Sequence, residues 1–249
     1  MIGFDRVPKR WTLRIVPTVF SGVVGTFLAA MTLNLLARTW RYSPLVDGVL
    51  RVWGRLWLVP AGVRLQVEGR EHLQVGQSYV IVANHQSILD AMVHLVALGF
   101  PMRILAKQEL FRIPVLGSAM RAIGMVEVDR ANPNFVAINR FATDAFSAGR
   151  SLLVYPEGTT SKDGTLGRFK DGAFSIAIAH GIPILPVVID GTRSVWTPGS
   201  NSIHGGQVRV VITEPISTGQ LTRGDVAQLR ADVRTLISST LEDRSKAPS

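Results

Sequence analysis

The chain has 249 residues, 47% of them hydrophobic and 18% charged, which is enough apolar material for a sizeable core and too little charge for a disordered chain. With no cysteine, disulfides, cysteine-ligated zinc and a thiol nucleophile are excluded. The net charge of +9 is unevenly spread: residues 1–64 hold nine Lys or Arg against Asp5 and Asp47, while the remaining residues are close to balanced.

The first element is the apolar run "IVPTVFSGVVGTFLAAMTLNLLA" (15–37), which holds no Lys, Arg, Asp or Glu and is flanked by the basic residues. Nucleic acid has no use for such a stretch, whereas a membrane with anionic head groups does, so the partner expected is anionic lipid and not nucleic acid. The run is long enough to span a bilayer, but Pro17, Gly22, Gly25 and Asn34 interrupt it. In the next segment, "LVDGVLRVWGRLWLV" (45–59), Arg51 and Arg55 share one helical face, and Trp53, Leu56 and Trp57 occupy another that suits the lipid–water boundary. Residues 1–62 are therefore read as a basic two-helix membrane-associating hairpin, monotopic or with one short span, and residues 63–249 as a separate domain.

After Gly62 the pattern changes to short β-rich runs alternating with helical ones. Strands are predicted at 63–69, 78–84, 102–107, 125–129, 151–156, 183–189 and 207–213, and helices at 87–98, 115–123, 133–148, 172–180 and 223–242. The alternation implies an α/β domain with a mixed, largely parallel sheet flanked by helices. Loops leaving the carboxyl ends of such strands carry the site, and "NHQSILD", "KQELF", "VDRANP" and "YPEGTTS" all follow apolar strands.

In "NHQSILD" (84–90), His85 and Asp90 are too far apart around one ideal helix to meet. They meet if His85 sits in the loop and Asp90 in the first helical turn, with Ser87 as N-cap. Ser-x-x-Asp also fits a capping box, in which Asp90 serves only the helix start. The chemical reading is that a neutral imidazole takes a proton from an alcohol while a buried carboxylate fixes its tautomer. No Gly-x-Ser-x-Gly elbow and no phosphate-binding P-loop are present, so the alcohol would be the substrate's own.

"NHQSILD" resembles the His-x4-Asp signature of the glycerolipid acyltransferases, specifically the 1-acylglycerol-3-phosphate O-acyltransferases. "KQELFRIPVLG…GMVEVDR" (107–130) resembles that family's second motif, with Lys107, Glu109, Pro114, Gly117, Gly124 and Arg130 in place. "YPEGTTS" (155–161) and "IPILPV" (182–187) resemble its third and fourth. The resemblance implies acyl transfer from acyl-CoA or acyl carrier protein, as co-substrate and with no cofactor or metal, onto the free sn-2 hydroxyl of lysophosphatidic acid at the cytoplasmic face of the cell membrane. His85 would be the general base and Asp90 its partner. Arg130 and Lys107 would bind the substrate phosphate, with Glu157 holding a cation such as Arg130 or backbone donors of its own loop. Gly158 and Thr159 would shape that loop, whose N–H groups suit an oxyanion. One position departs from the pattern: Thr160 stands where the family usually has Arg, and the nearest cation is Lys162. That keeps open another lyso-acceptor, an aminolipid or glycolipid, and beyond it an inactive membrane scaffold. Of the other histidines, His94 reads as an ordinary core or edge residue.

Overall fold

The structure is a computed structural model that describes residues 14–129, 134–161 and 163–243. In chain order the main elements are α1 (Ile15–Trp40), α2 (Pro44–Leu58), β1 (Val63–Glu68), β2 (Val80–Ala83), α3 (Asp90–Ala97), β3 (Met102–Lys107), α4 (Gln108–Phe111), α5 (Leu116–Ala122), β4 (Val126–Val128), α6 (Phe135–Ser147), β5 (Ser151–Val154), α7 (Gly172–His180), β6 (Ile184–Asp190), α8 (Thr192–Val195), β7 (Gly206–Ile212) and α9 (Val226–Asp243).

The strands form one seven-stranded sheet in the order β1-β7-β6-β2-β5-β3-β4. Strands β2 to β6 run parallel; β7 is antiparallel to β6 and parallel to β1. Every predicted strand is found: β2, β5 and β6 are apolar runs buried on both faces, whereas β1 and β7 alternate buried or half-buried residues with more exposed ones. On one face Ile81, Leu153, Leu185 and Val187 pack with Val93 of α3 and Leu50 of α2. On the other, Val80, Val82, Leu152 and Ile184 pack with Phe141 of α6, Phe174 of α7 and Val233 of α9. The short helices α4 and α8 were not foreseen, since four residues are too few to show a period.

The predicted hairpin is present, and it shares the core of the sheet: Ala30, Leu33, Val46, Leu50 and Leu58 belong to the same hydrophobic cluster as β2 and α3. The two helices pack closely through Gly22, where an added Cβ would lie 2.5 Å from the Trp57 ring, and Gly25, which faces Leu56. The indoles of α2 are not turned outward as the sequence suggested. Trp53 Nε1 donates to Thr26 Oγ1 at 2.8 Å, and Trp57 stacks on Trp196 with centroids 6.2 Å apart. Packing against the glycines of α1 outcompetes the interface for these rings. The exposed apolar face belongs instead to α1, where Val16, Phe20, Val23, Phe27, Met31, Leu35 and Trp40 all point away from the domain.

A buried ion triad fastens this hairpin. Asp47, in the first turn of α2, faces Arg103 Nη1 of β3 at 2.7 Å and Arg150 Nη2, just before β5, at 2.9 Å. Arg103 is fully buried and also donates to the carbonyls of Arg41, Met102 and Ile123.

Candidate active site

The site forms where β2 and β5, neighbours at the centre of the sheet, end on the same edge. Asn84 closes β2: its side chain bonds both the N–H and the C=O of Ile189 on β6, at 2.9 and 2.8 Å. The chain then turns out of the sheet, and His85 heads the loop to α3.

Helix α3 starts at Asp90, three residues later than the sequence suggested, so His85 and Asp90 are free to meet. Asp90 Oδ2 accepts from His85 Nδ1 at 2.8 Å, and from the backbone N–H groups of Gln86 at 2.6 Å and Ser87 at 2.9 Å. The capping and pairing readings of Asp90 thus coincide in one oxygen. Only half a capping box forms: the Asp90 N–H bonds the Ser87 carbonyl at 3.2 Å and not its hydroxyl, which donates to Trp196 O at 2.8 Å and accepts from the Leu89 N–H at 3.4 Å. A carboxylate only accepts, so the imidazole proton sits on Nδ1 and the Nε2 lone pair is left over. His85 retains 15% side-chain exposure, while Asp90 is fully buried.

Glu157 staples this loop from β5. Its Oε1 accepts the His85 N–H and its Oε2 the Gly167 N–H, each at 2.8 Å. The expectation for Glu157 is a cation such as Arg130, which lies outside the described residues, or backbone donors of its own loop; the donors found are Gly167, ten residues on, and His85 of a different loop, which the β2–β5 pairing brings alongside. Burial pushes the Glu157 carboxyl above its usual range, against the pull of the two N–H groups. The folded chain therefore holds this proton to higher pH than the unfolded chain does. The stability this provides is full below the unfolded pKa and is lost as pH rises through the folded one. Glu157→Gln removes the titration, and the unfolding midpoint of wild type should gain on the variant as pH falls through that window. Midpoints measured in parallel over a pH series check this.

Gly158 follows with φ +73°, a backbone sign that favours glycine; a Cβ there would lie 3.2 Å from Lys170 Nζ and Cε, the movable end of a long side chain. Thr159 is exposed and lines a cleft of ≈ 640 Å³ together with Glu157, Thr160, Arg168, Lys170 and Arg230. This cleft lies beside the histidine loop; His85 is not in its lining. Lys107 ends β3 on the same edge of the sheet, half-exposed and paired with Glu109 at 3.0 Å. Gly117 lets α5 stand on Phe111, whose carbonyl oxygen would be 2.1 Å from a Cβ. Arg130 and Lys162 lie outside the described residues. Among the described residues no cluster of three or more His, Asp or Glu is arranged to hold a metal ion.

Two members of the site escaped the sequence. Tyr155 stacks on the His85 ring with centroids 4.2 Å apart and planes 15° apart. His94, read as an ordinary core residue, is fully buried with Nδ1 2.7 Å from the Asp90 carbonyl and 3.1 Å from the Tyr155 hydroxyl. Burial pushes the His94 imidazole down and the Tyr155 phenol up, so both are neutral near pH 7. The available signal was spacing: His94 stands one helical turn after Asp90.

The model of the family described as Acyltransferase matches residues 64–190. A chloroplastic 1-acyl-sn-glycerol-3-phosphate acyltransferase of Brassica napus is 37% identical over 171 residues, covering 68% of this chain and 49% of that protein. The alpha form of the Homo sapiens enzyme is 31% identical over 175 residues, covering 70% of this chain and 62% of that one. This chain thus spans about half the length of the plant relative. The crystal structure of the 1-acyl-sn-glycerophosphate (LPA) acyltransferase PlsC from Thermotoga maritima superposes with a TM-score of 0.79 at 26% identity, over 96% of this chain and 98% of that one. The family match runs from β1 through β6 and takes in both loops that meet at His85, more than half of the chain, and on it this protein belongs to the acyltransferase family.

Proposed function

We propose that this chain moves a fatty acyl group from the thioester of acyl-CoA or acyl carrier protein to the free sn-2 hydroxyl of lysophosphatidic acid, giving phosphatidic acid. The observation that carries the reading is the His85–Asp90 contact of 2.8 Å, which commits Nδ1 and leaves Nε2 with its lone pair at a partly open edge. Nε2 takes the hydroxyl proton as the oxygen attacks the thioester carbonyl. The oxyanion that forms is met by backbone N–H groups of the turn after β5, for which those of Thr159 and Thr160 are the candidates. Collapse breaks the carbon–sulfur bond, and the thiolate takes the proton back from the imidazolium, so the base is regenerated. Asp90 holds the tautomer and offsets the imidazolium charge throughout.

The acceptor phosphate calls for cations at this edge of the sheet. Lys107, Arg130 and the basic residues Arg168 and Lys170 of the neighbouring cleft are the candidates. The acceptor lives in a bilayer, and α1 suits that: 26 residues, with a mean hydropathy of 1.8 over its 18-residue apolar window, long and apolar enough to cross a membrane and with its outer face uncovered. We place α1 in the cytoplasmic leaflet of the cell membrane, with the flanking arginines on anionic head groups.

Thr160 motivates a second reading, in which the acceptor lacks a phosphomonoester. Purified protein in mixed micelles with long-chain acyl-CoA distinguishes them. The expected result is at least about tenfold higher kcat/KM for lysophosphatidic acid than for a lyso-acceptor without a terminal phosphate, the loss of one charged contact. Equal turnover would favour the second reading.

A further inference from the structure

We propose that Tyr155 is a positioning residue for His85, holding the imidazole plane through its stacked ring, and that His94 holds Tyr155 in turn. The inference rests on His85 being the base. A single hydrogen bond at Nδ1 fixes one end of an imidazole but leaves the ring free to librate about that bond, so Nε2 sweeps an arc. A parallel ring with its centroid 4.2 Å away blocks that motion on one face. Asp90 therefore sets the direction of the His85 ring and Tyr155 sets its tilt.

The phenol is itself held at its far end. His94 Nδ1 lies 2.7 Å from the Asp90 carbonyl oxygen, which can only accept, so Nδ1 carries a proton. The Tyr155 oxygen, at 3.1 Å, is a second acceptor for the same N–H. The two rings meet edge to face, with centroids 5.7 Å apart. His85, Asp90, His94 and Tyr155 thus form a closed circuit of contacts through which one helical turn of α3 fixes the end of β5.

The composition of the circuit argues for a role. His94 is fully buried, and its Nε2 has no hydrogen-bond partner among the described residues. A leucine of similar size would fill the space without leaving a buried acceptor unsatisfied. What this histidine offers in return is its other nitrogen, whose hydrogen-bond partners among the described residues are the Asp90 carbonyl and the Tyr155 hydroxyl. The stack has a second effect during the reaction. Once His85 has taken the substrate proton, its positive ring lies over the face of a neutral phenol, an arrangement that favours the charged form.

The test is a series at one position, Tyr155→Phe, Tyr155→Trp, Tyr155→Leu and Tyr155→Met, assayed with lysophosphatidic acid and acyl-CoA beside His85→Ala, with unfolding midpoints for each. Phe and Trp keep a ring but lose the hydroxyl held by His94, and should lose about two- to tenfold in kcat, the size of one neutral hydrogen bond; no loss at all in Tyr155→Phe would overturn the role of His94. Leu and Met should lose about 10- to 30-fold in kcat, the size of a desolvated cation–π contact plus lost alignment, with KM for both substrates unchanged. If Leu does not fold, Met carries the comparison. In a His85→Ala background, Tyr155→Leu should cost nothing further. A kcat within threefold for both aliphatic variants would overturn the proposal. So would a rise in KM alone, which would make Tyr155 a substrate contact, or a loss in Tyr155→Phe equal to that in Tyr155→Leu. Full activity of His85→Ala would sink the underlying assignment of the base instead, and the two failures are therefore separable.

Discussion

Replacing His85 by alanine should lower kcat about 10²- to 10⁴-fold in the lysophosphatidic acid assay, the usual contribution of a positioned general base. The loss should appear in kcat with little change in KM, because an imidazole in the proposed role of general base would act on the proton in flight and add nothing to the grip on lipid or thioester. The fold should tolerate the change. His85 is in a loop, its side chain is partly exposed, and its backbone N–H and C=O stay bonded to Glu157 and to the Ser161 N–H. Asp90 keeps two backbone N–H donors. An unfolding midpoint near wild type beside the activity loss would assign the effect to chemistry. Equal product from both proteins would end the general-base mechanism.

Asp47→Ala should instead act on stability, lowering it by about 3–5 kcal/mol, the usual cost of leaving a buried charge without its partner. Arg103 has no exposed surface, and Arg150 lies against the same carboxylate. Without Asp47 two guanidinium groups would face one another in a dry layer. For a chain of this size the loss corresponds to roughly 6–20 °C in unfolding midpoint. Thermal unfolding in detergent measures it, and a shift under about 2 °C would show that water or a nearby carbonyl replaces the carboxylate. Because the triad joins α2 to β3 and β5, the variant should also become more sensitive to protease in the α1–α2 turn near Tyr42.

The layers of this fold were legible because strands covered on both faces read as unbroken apolar runs, and the helix pair read as a long uncharged stretch followed by an amphipathic one. His85 and Asp90 were legible because the two are local and follow an apolar strand, although Ser87 marked the helix start three residues too early. The rest of the site is made by contacts distant in sequence. Tyr155 meets His94 across 61 residues, and nothing near Tyr155 announces a partner. Asp47 and Arg103 are 56 residues apart, and each reads in isolation as surface charge. Trp53 and Trp57 show the opposite failure: indoles beside arginines look interfacial, yet the small residues that receive them, Gly22 and Thr26, lie in the previous helix.

The order of the elements has a consequence for how the chain is made. Helix α1 is synthesised before every strand of the sheet, and α5, which covers part of it, comes about 80 residues later. The central strand β2 finds its neighbours only when β5 and β6 arrive, some 70 and 100 residues on. Sheets closed by such distant pairings assemble slowly. During that interval a helix with a long uncovered apolar face is the stickiest part of the nascent chain. Lipid that shelters α1 from the start removes the surface through which unfinished chains would associate. On the proposed function, the bilayer that supplies the acceptor would first be a holding partner for the nascent chain.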